Sequence, residues 1–543
     1  MAADLVHLSK SDNDLDPLEL RILGQRGVFE FPSKEICDEL IEIFYTWIAP
    51  MVPVVNKHTF LRDYQDPTLT PSALLLNAIF TVSSRFYPTE REKPHTKLSP
   101  RTFYTKAKAL YDAGYEKDHI ILIQSTTLLG LYWDGPEDLT ENGMFYWSRI
   151  GTALAQAHDM HLSEKAVLQN APGKGLMKRI WWTLYTRDRA VATAFGRPTH
   201  IDLDDCTIEP LTLRDFVEDD MAEPFPDANE HGVFFMQYVK LHHILVQSFW
   251  PNIVSKASLD DRISQARQRE LALHDWYISR PSEMQWRPSN HRFWPALLYS
   301  SYNAVICSFY LSQVPRSSEE SRSSAFHAAS MIISVLETLN LHGQLRYAPA
   351  FIIWHALMSF ATLKTQMTVS APSLLHAIEQ KMGENIDLLC MLSNVWPIAP
   401  AVVELLESAV PQDQFQVYMA VAVNKYRQQA TGNKYPAKQA SSPSTSFRKP
   451  KPKHLLLPRS RVIVRLMGTG VQAHLAPAVD EATPAIDLTA TQEVSLEIPP
   501  NSEEPPLPEI IDPSLLECNP EVILQSLRES IRARQCYIRE EHT

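Results

Sequence analysis

Three groups of residues in this 543-residue sequence have the types and spacing for chemistry. His158 and His161, in "HDMH", set two imidazoles three positions apart on one face of a helix, a spacing at which one metal ion accepts two ligands. No third ligand stands near them in sequence, and an ordinary helix-surface pair is the competing reading. Asp202, Asp204 and Asp205, in "HIDLDDC", offer three carboxylates of the kind a divalent cation takes. Asp188 lies within "RIWWTLYTRDRAVATAFGRPTHIDLDDC", on the apolar stripe formed by Trp181, Leu184, Tyr185, Ala192 and Phe195. A carboxylate buried there without a partner would cost several kcal/mol, roughly, so it requires a cation, and Arg149, Arg189 and Arg197 are the candidates.

Enzyme signatures are sparse. "DDMAE" at 219–223 matches the aspartate-rich pattern with which isoprenoid cyclases hold magnesium and diphosphate, and an all-α enzyme of that type is a remote alternative. The motif sits in "VEDDMAEPFPD", a proline-broken loop, and no second Asn-Asp/Ser/Glu motif follows it. There is no G-x-S-x-G, H-E-x-x-H, G-x-G-x-x-G or P-loop. The six cysteines are scattered, without any C-x-x-C, which excludes the usual zinc spacings, gives no sign of a disulfide framework and favours a reducing compartment. The net charge of −12 argues against this chain gripping a phosphate backbone by itself. The N-terminus has no apolar run for a signal peptide, and the most apolar segment, 348–363, is too short and interrupted to span a bilayer.

The elements that must position these residues read as helices throughout 31–428. Glycine is scarce, 16 in all, which tilts the architecture away from strands and turns. "SKEICDELIEIFYTWIAP" sets Ile36, Leu40, Ile43, Phe44 and Trp47 at helical spacing behind a serine N-cap. "TFYTKAKALYDAGY" and "DHIILIQSTTLLGLYWDG" are expected to form an antiparallel pair, and "FYWSRIGTALAQAHDMHL" a further helix. Helices follow at 231–250, 258–280, 292–312, 322–342, 348–368, 372–392 and 400–427. The expected fold is all-α: a large irregular helical bundle, solenoid-like, with a disordered C-terminal tail.

The ends differ in character. Residues 1–30 read as an N-terminal tail. Residues 429–520 hold 14 of the 39 prolines and read as a disordered linker, basic and then acidic. Its basic part clusters Arg448, Lys449, Lys451, Lys453, Arg459 and Arg461, read either as a nuclear import signal or as solvated linker. Its acidic part, 480–521, has eleven acidic residues interleaved with Ile, Leu and Val and no Lys or Arg. That pattern suits either a coactivator-binding segment or a solubilising one. A short amphipathic helix closes the chain within 521–543.

The charged stretch reads physically as a joint. The helix should stop at Gly196, whose missing Cβ permits a left-handed cap; Pro198 prevents a restart, and Arg197 complements the C-terminal dipole. Ile201, Leu203 and Ile208 then alternate with acids, as a segment laid across a helical layer would.

Arg179, Trp181, Trp182, Asp188, Arg189, Gly196, Arg197, Pro198, Ile201, Asp205, Cys206 and Pro210 together resemble the signature of the middle homology region of fungal zinc-cluster transcription factors. "YTWIAPMVPVVNKHTF", "YWSRIGTALAQAHDMHL" and "LLYSSYNAVICSFYLSQVP" resemble further pieces of that region in order, over about residues 30–390, most like regulators of the cutinase transcription factor type. The sequence departs from the family where a helix usually ends Gly-Leu-His and here ends His161-Leu162-Ser163. It also has only Cys37 in its first 200 residues, so the family's six-cysteine zinc cluster, its base contacts and its coiled coil are not assigned to this chain, and no cofactor is expected. The resemblance implies a nuclear transcription regulator of metabolic or secondary-metabolite genes, not an enzyme. Its implied partners are other transcription factors or coactivators, in a homo- or heterodimer, with DNA contacted indirectly or weakly and no membrane. The alternative is a small-molecule sensor or scaffold acting through a DNA-bound partner.

Overall fold

The helix Ala73–Ser83 is buried on every side from Leu74 onward, and it is the hub of the N-terminal half. Its sequence, "ALLLNAIFTVS", carries no charge over eleven residues. Its polar side chains are absorbed by backbone: Asn77 donates to the carbonyls of Val28 and Ala73, Thr81 to that of Asn77, and Ser83 to that of Ile79. A helix apolar all round must be covered all round, and here other helices cover it. The computed structural model describes residues 15–88, 98–132, 143–163, 173–195, 198–218, 228–254, 259–313, 319–367, 370 and 372–409.

Among these residues there are fifteen α-helices: α1 (Pro17–Gln25), α2 (Lys34–Trp47), α3 (Lys57–Gln65), α4 (Ala73–Ser83), α5 (Pro100–Asp112), α6 (His119–Leu129), α7 (Met144–Ala157), α8 (Lys174–Phe195), α9 (Ala228–Val254), α10 (Leu259–Ser279), α11 (Phe293–Gln313), α12 (Glu319–Leu341), α13 (Phe351–Met367), α14 (Pro372–Leu392) and α15 (Ala399–Ala409). No strand occurs among them, only an isolated bridge between Arg287 and Asn290. The all-α expectation holds, and so do most helix starts. Ser72 and Asp118 cap α4 and α6 with their side chains, and α5 opens on Pro100.

Three expectations are corrected. The segment read as an N-terminal tail contains α1, and Leu23 and Val28 are buried in the core. The helices α5 and α6 do not pair chiefly with each other; both pack on α4. The helix carrying "HDMH" ends at Ala157, and Asp159 takes a left-handed φ of 56°, so His158 and His161 share no helix face. Instead the His158 ring lies 4.2 Å from that of His119, and the His161 ring 5.5 Å from that of Trp181.

Around α4 lie α2, α5 and α6; α7 and α8 extend this layer through α6. The C-terminal half is built on α11, which packs against α9, α12 and α13, with α14 and α15 beyond. The contact of α8 with α9 joins the halves. So does an aromatic seam: Trp47 of α2 stacks on Tyr347 at 4.2 Å and meets the ring edge of Phe293 at 4.9 Å. Arg85 reinforces it, lying over the Trp396 ring and donating to the Val395 carbonyl at 3.0 Å. One hydrophobic core runs from Leu23 to Leu406.

The chain divides into two units, Met1–Met467 and Gly468–Thr543, and the described residues all belong to the first. The linker at 429–520 with its basic and acidic parts, the closing helix at 521–543, "DDMAE" at 219–223, Gly196 with Arg197, and residues 410–427 lie outside the described residues.

Candidate functional site: the joint at the end of α8

The end of α8 holds the next segment of chain through Asp188. Its side chain is buried, at 3% exposure. Oδ2 accepts from Arg189 Nη1 at 2.9 Å, from the His200 N–H at 2.8 Å and from the Ile201 N–H at 2.9 Å, while Oδ1 accepts from the His200 N–H at 3.0 Å. Arg149 Nη1 lies farther off, 3.9 Å from Oδ1. Of the three candidate cations, Arg189 makes the contact, Arg149 supports it, and Arg197 is outside the described residues.

The two arginines also grip the segment by its carbonyls. Arg189 Nη1 donates to Ile201 O at 2.7 Å, and Arg149 Nη2 to Pro198 O at 2.8 Å. Arg189 lies over the Tyr185 ring at 4.3 Å, which fixes its plane. Burial pushes the Asp188 carboxyl above its ordinary range, while the Ile201 amide and the two guanidinium groups pull the other way. The groups that hydrogen-bond to it are all donors, so the ionised form is the one this geometry holds.

Beyond Ile201 the segment is sewn down at intervals. Thr207 and Ile208 donate their N–H groups to His161 O at 3.0 and 3.1 Å. Trp182 Nε1 donates to Glu209 O at 3.1 Å, whereas Trp181 beside it is fully buried. Lys178 Nζ donates to Pro210 O and to Asp215 Oδ2, each at 3.0 Å. Asp215 closes a capping box with Thr212, whose N–H and Oγ1 reach its carboxylate at 2.6 and 2.9 Å. Gly175, in the first turn of α8, makes room for this turn: a Cβ there would stand 2.9 Å from the Asp215 carbonyl oxygen.

The segment ends on Glu218, which is buried and caps a helix from far away in sequence. Its Oε1 accepts from Lys57 N–H at 2.6 Å and its Oε2 from Thr59 N–H at 3.2 Å, with His58 N–H shared between them. These are orphan donors at the start of α3, where a negative charge also meets the helix dipole. Arg179 of α8 reaches Asn56, the residue before α3, through its side-chain oxygen. Residues 198–218 therefore strap the end of α8 to α7 and to the start of α3.

The sequence reading missed Glu218 and the Lys178–Asp215 pair. Thr212-x-x-Asp215 is a visible capping-box spelling, but nothing local marks Glu218. The acidic trio does not converge on a point. Asp202, Asp204 and Asp205 are all exposed; Asp202 Oδ1 accepts from the Asp204 N–H at 3.0 Å, a local turn. Among the described residues, no group of three or more His, Cys, Asp or Glu is placed to hold a metal ion. Nor is any helix there long and apolar enough to cross a membrane.

Comparison with known proteins places this joint in a family. Residues 41–306 match the fungal specific transcription factor domain, a span that includes α8, the strap and α3. Cutinase transcription factor 1 alpha of Fusarium vanettenii is 39% identical over 434 residues, 75% of this chain and 48% of that protein. An acetamidase regulatory protein of Aspergillus fumigatus is 25% identical over 387 residues, 70% of this chain and 49% of that protein. A fusaric acid cluster transcription factor of Fusarium oxysporum f. sp. lycopersici is 23% identical over 290 residues, 52% of this chain and 42% of that protein. The chain thus spans about half the length of the relatives it matches. Residues 41–306 of this chain thus carry the fungal specific transcription factor domain, and the chain is similar to named fungal transcription regulators.

Proposed function

We propose that this chain regulates transcription of a metabolic or secondary-metabolite gene set, with the helical body as regulatory scaffold and the acidic segment 480–521 as its contact to the transcription machinery. The observation that carries this reading is the domain match across residues 41–306, joined to relatives named for cutinase, acetamidase and fusaric acid cluster regulation. The strap geometry supports a scaffold role: the buried charges of Asp188, Lys178, Asp215 and Glu218 hold helices together. Arg448, Lys449, Lys451, Lys453, Arg459 and Arg461 would direct the chain to the nucleus.

The net charge of −12 favours access to promoter DNA through a DNA-bound partner, or as one half of a dimer. In that arrangement the body senses or scaffolds, and the partner reads the bases. Deleting the gene and sequencing transcripts tests the proposal. The expected result is altered expression of a clustered or pathway-related set of metabolic genes, restored by the intact chain. An unchanged transcript profile under inducing and non-inducing nutrients contradicts it.

A further inference from the structure

Arg280 follows the last residue of α10, in "WYISRP", and is buried at 8% exposure. Its Nε and Nη1 are shielded from solvent and donate to no protein group. This sets it apart from Arg189, which is paired with a carboxylate. What surrounds Arg280 is aromatic. Its guanidinium lies 4.3 Å from the Tyr277 ring centre and 5.9 Å from that of Trp276. Tyr302 stacks on Trp276 at 5.4 Å and lies 5.0 Å from Tyr277; Trp286 stacks on Tyr299 at 5.5 Å. Tyr277 and Tyr299 are half-buried, so the box reaches the surface.

Ring faces and the C-terminal dipole of α10 offset only part of the cost of burying a guanidinium. Its Nε and Nη1 donors still lack an acceptor. Burial pushes both the Tyr299 and the Tyr302 phenol up, with Tyr277 adding to the shift and Arg280 opposing it; Asn303 also hydrogen-bonds to Tyr299. The box thus offers N–H and O–H donors and apolar faces, with the phenol oxygens as the acceptors among its named side chains. Aromatic boxes commonly take a cationic ligand, but here the cation is the protein's own.

We propose that the aromatic box around Arg280 is a binding site for a small organic carboxylate with a flat apolar body. The carboxylate would accept from the unpartnered Nη1 end of the guanidinium, and the body would lie among the Trp and Tyr rings. One guanidinium suits a monoanion; a phosphate dianion would ask for a second cation. Binding of this kind stands independently of the transcriptional reading, because it is measured on the purified chain.

The test uses the full chain with benzoate as probe, read by melting temperature and tryptophan fluorescence. Millimolar benzoate should raise the melting temperature by mass action and change the emission; benzyl alcohol and inorganic phosphate should do neither. Arg280→Met removes an unpaired buried charge, so it should melt at or above the wild-type temperature and lose the benzoate response. Arg280→Lys keeps the charge without the fork and should weaken the response about tenfold. No benzoate response in the wild type, an equal response in either variant, or an equal response to benzyl alcohol would overturn the proposal. A peptide of residues 501–517 that stabilises the chain more than benzoate would overturn it too, by assigning the box to the chain's own acidic segment.

Discussion

Asp188 accepts the backbone N–H of Ile201, thirteen residues later, at 2.9 Å, while Arg189 beside it donates to the same oxygen. The carboxylate thus fixes both a cation and a turn of chain. Removing it strands Arg189 and leaves two amides of the strap without their acceptor. Asp188→Ala should lower unfolding free energy by about 3 kcal/mol. Arg189→Leu should cost a similar amount, and the double variant much less than the sum, because one network is broken in each case. Urea melts of the three variants decide this. Strict additivity, or an Asp188→Ala variant as stable as wild type, would show that the network does not hold the joint.

Glu218 bonds to three amides at the start of α3, some 160 residues earlier in the chain. Glu218→Ala should cost about 2 kcal/mol, at the upper end for a cap because the site is buried. Glu218→Gln, which keeps an acceptor but no charge, should fall between. Amide exchange at Lys57, His58 and Thr59 should rise selectively in both variants. Exchange that is unchanged at these three positions would mean that the cap does not form in solution.

These two carboxylates show what the sequence discloses and what it hides. Asp188 is legible because it falls on the apolar stripe of a helix whose period is clear, so burial and a cationic partner follow. Which arginine pairs with it is not legible, since Arg149 and Arg189 come from different helices. Glu218 gives no sign at all: its partners are backbone amides, which have no sequence identity. The helices themselves were readable from period, serine and aspartate caps and proline starts. The packing of α5 and α6 on α4 was missed because adjacent helices were expected to pair. Yet the uncharged run "ALLLNAIFTVS" already required neighbours on all sides. The end of the "HDMH" helix is not legible because Asp159 occupies a left-handed position that glycine more often fills.

His242 and His355 supply a pH test. Burial pushes His242 down to about 4, with Arg187 and Arg189 adding to the shift, and pushes His355 down to about 3, with His242 adding. Both folded values lie below an unfolded value of about 6.5. The folded state therefore binds fewer protons than the unfolded state between these limits. Stability is full above about pH 6.5 and is lost as pH falls through about 4. Asp188 acts in the opposite sense, since its folded pKa is raised, so the comparison must be between variants. His242→Gln and His355→Gln should each flatten the decline in stability between about pH 6.5 and 4. Identical slopes in wild type and variants would refute buried, neutral histidines.

The claim that the chain acts on transcription is tested most directly by tethering. The full chain is fused to an unrelated DNA-binding domain and a reporter is placed behind that domain's site. The account predicts output above that of the domain alone, and a fall toward that level when residues 480–521, with their eleven acids, are deleted. Output equal to the domain alone, with the fusion folded and present in the nucleus, would contradict it.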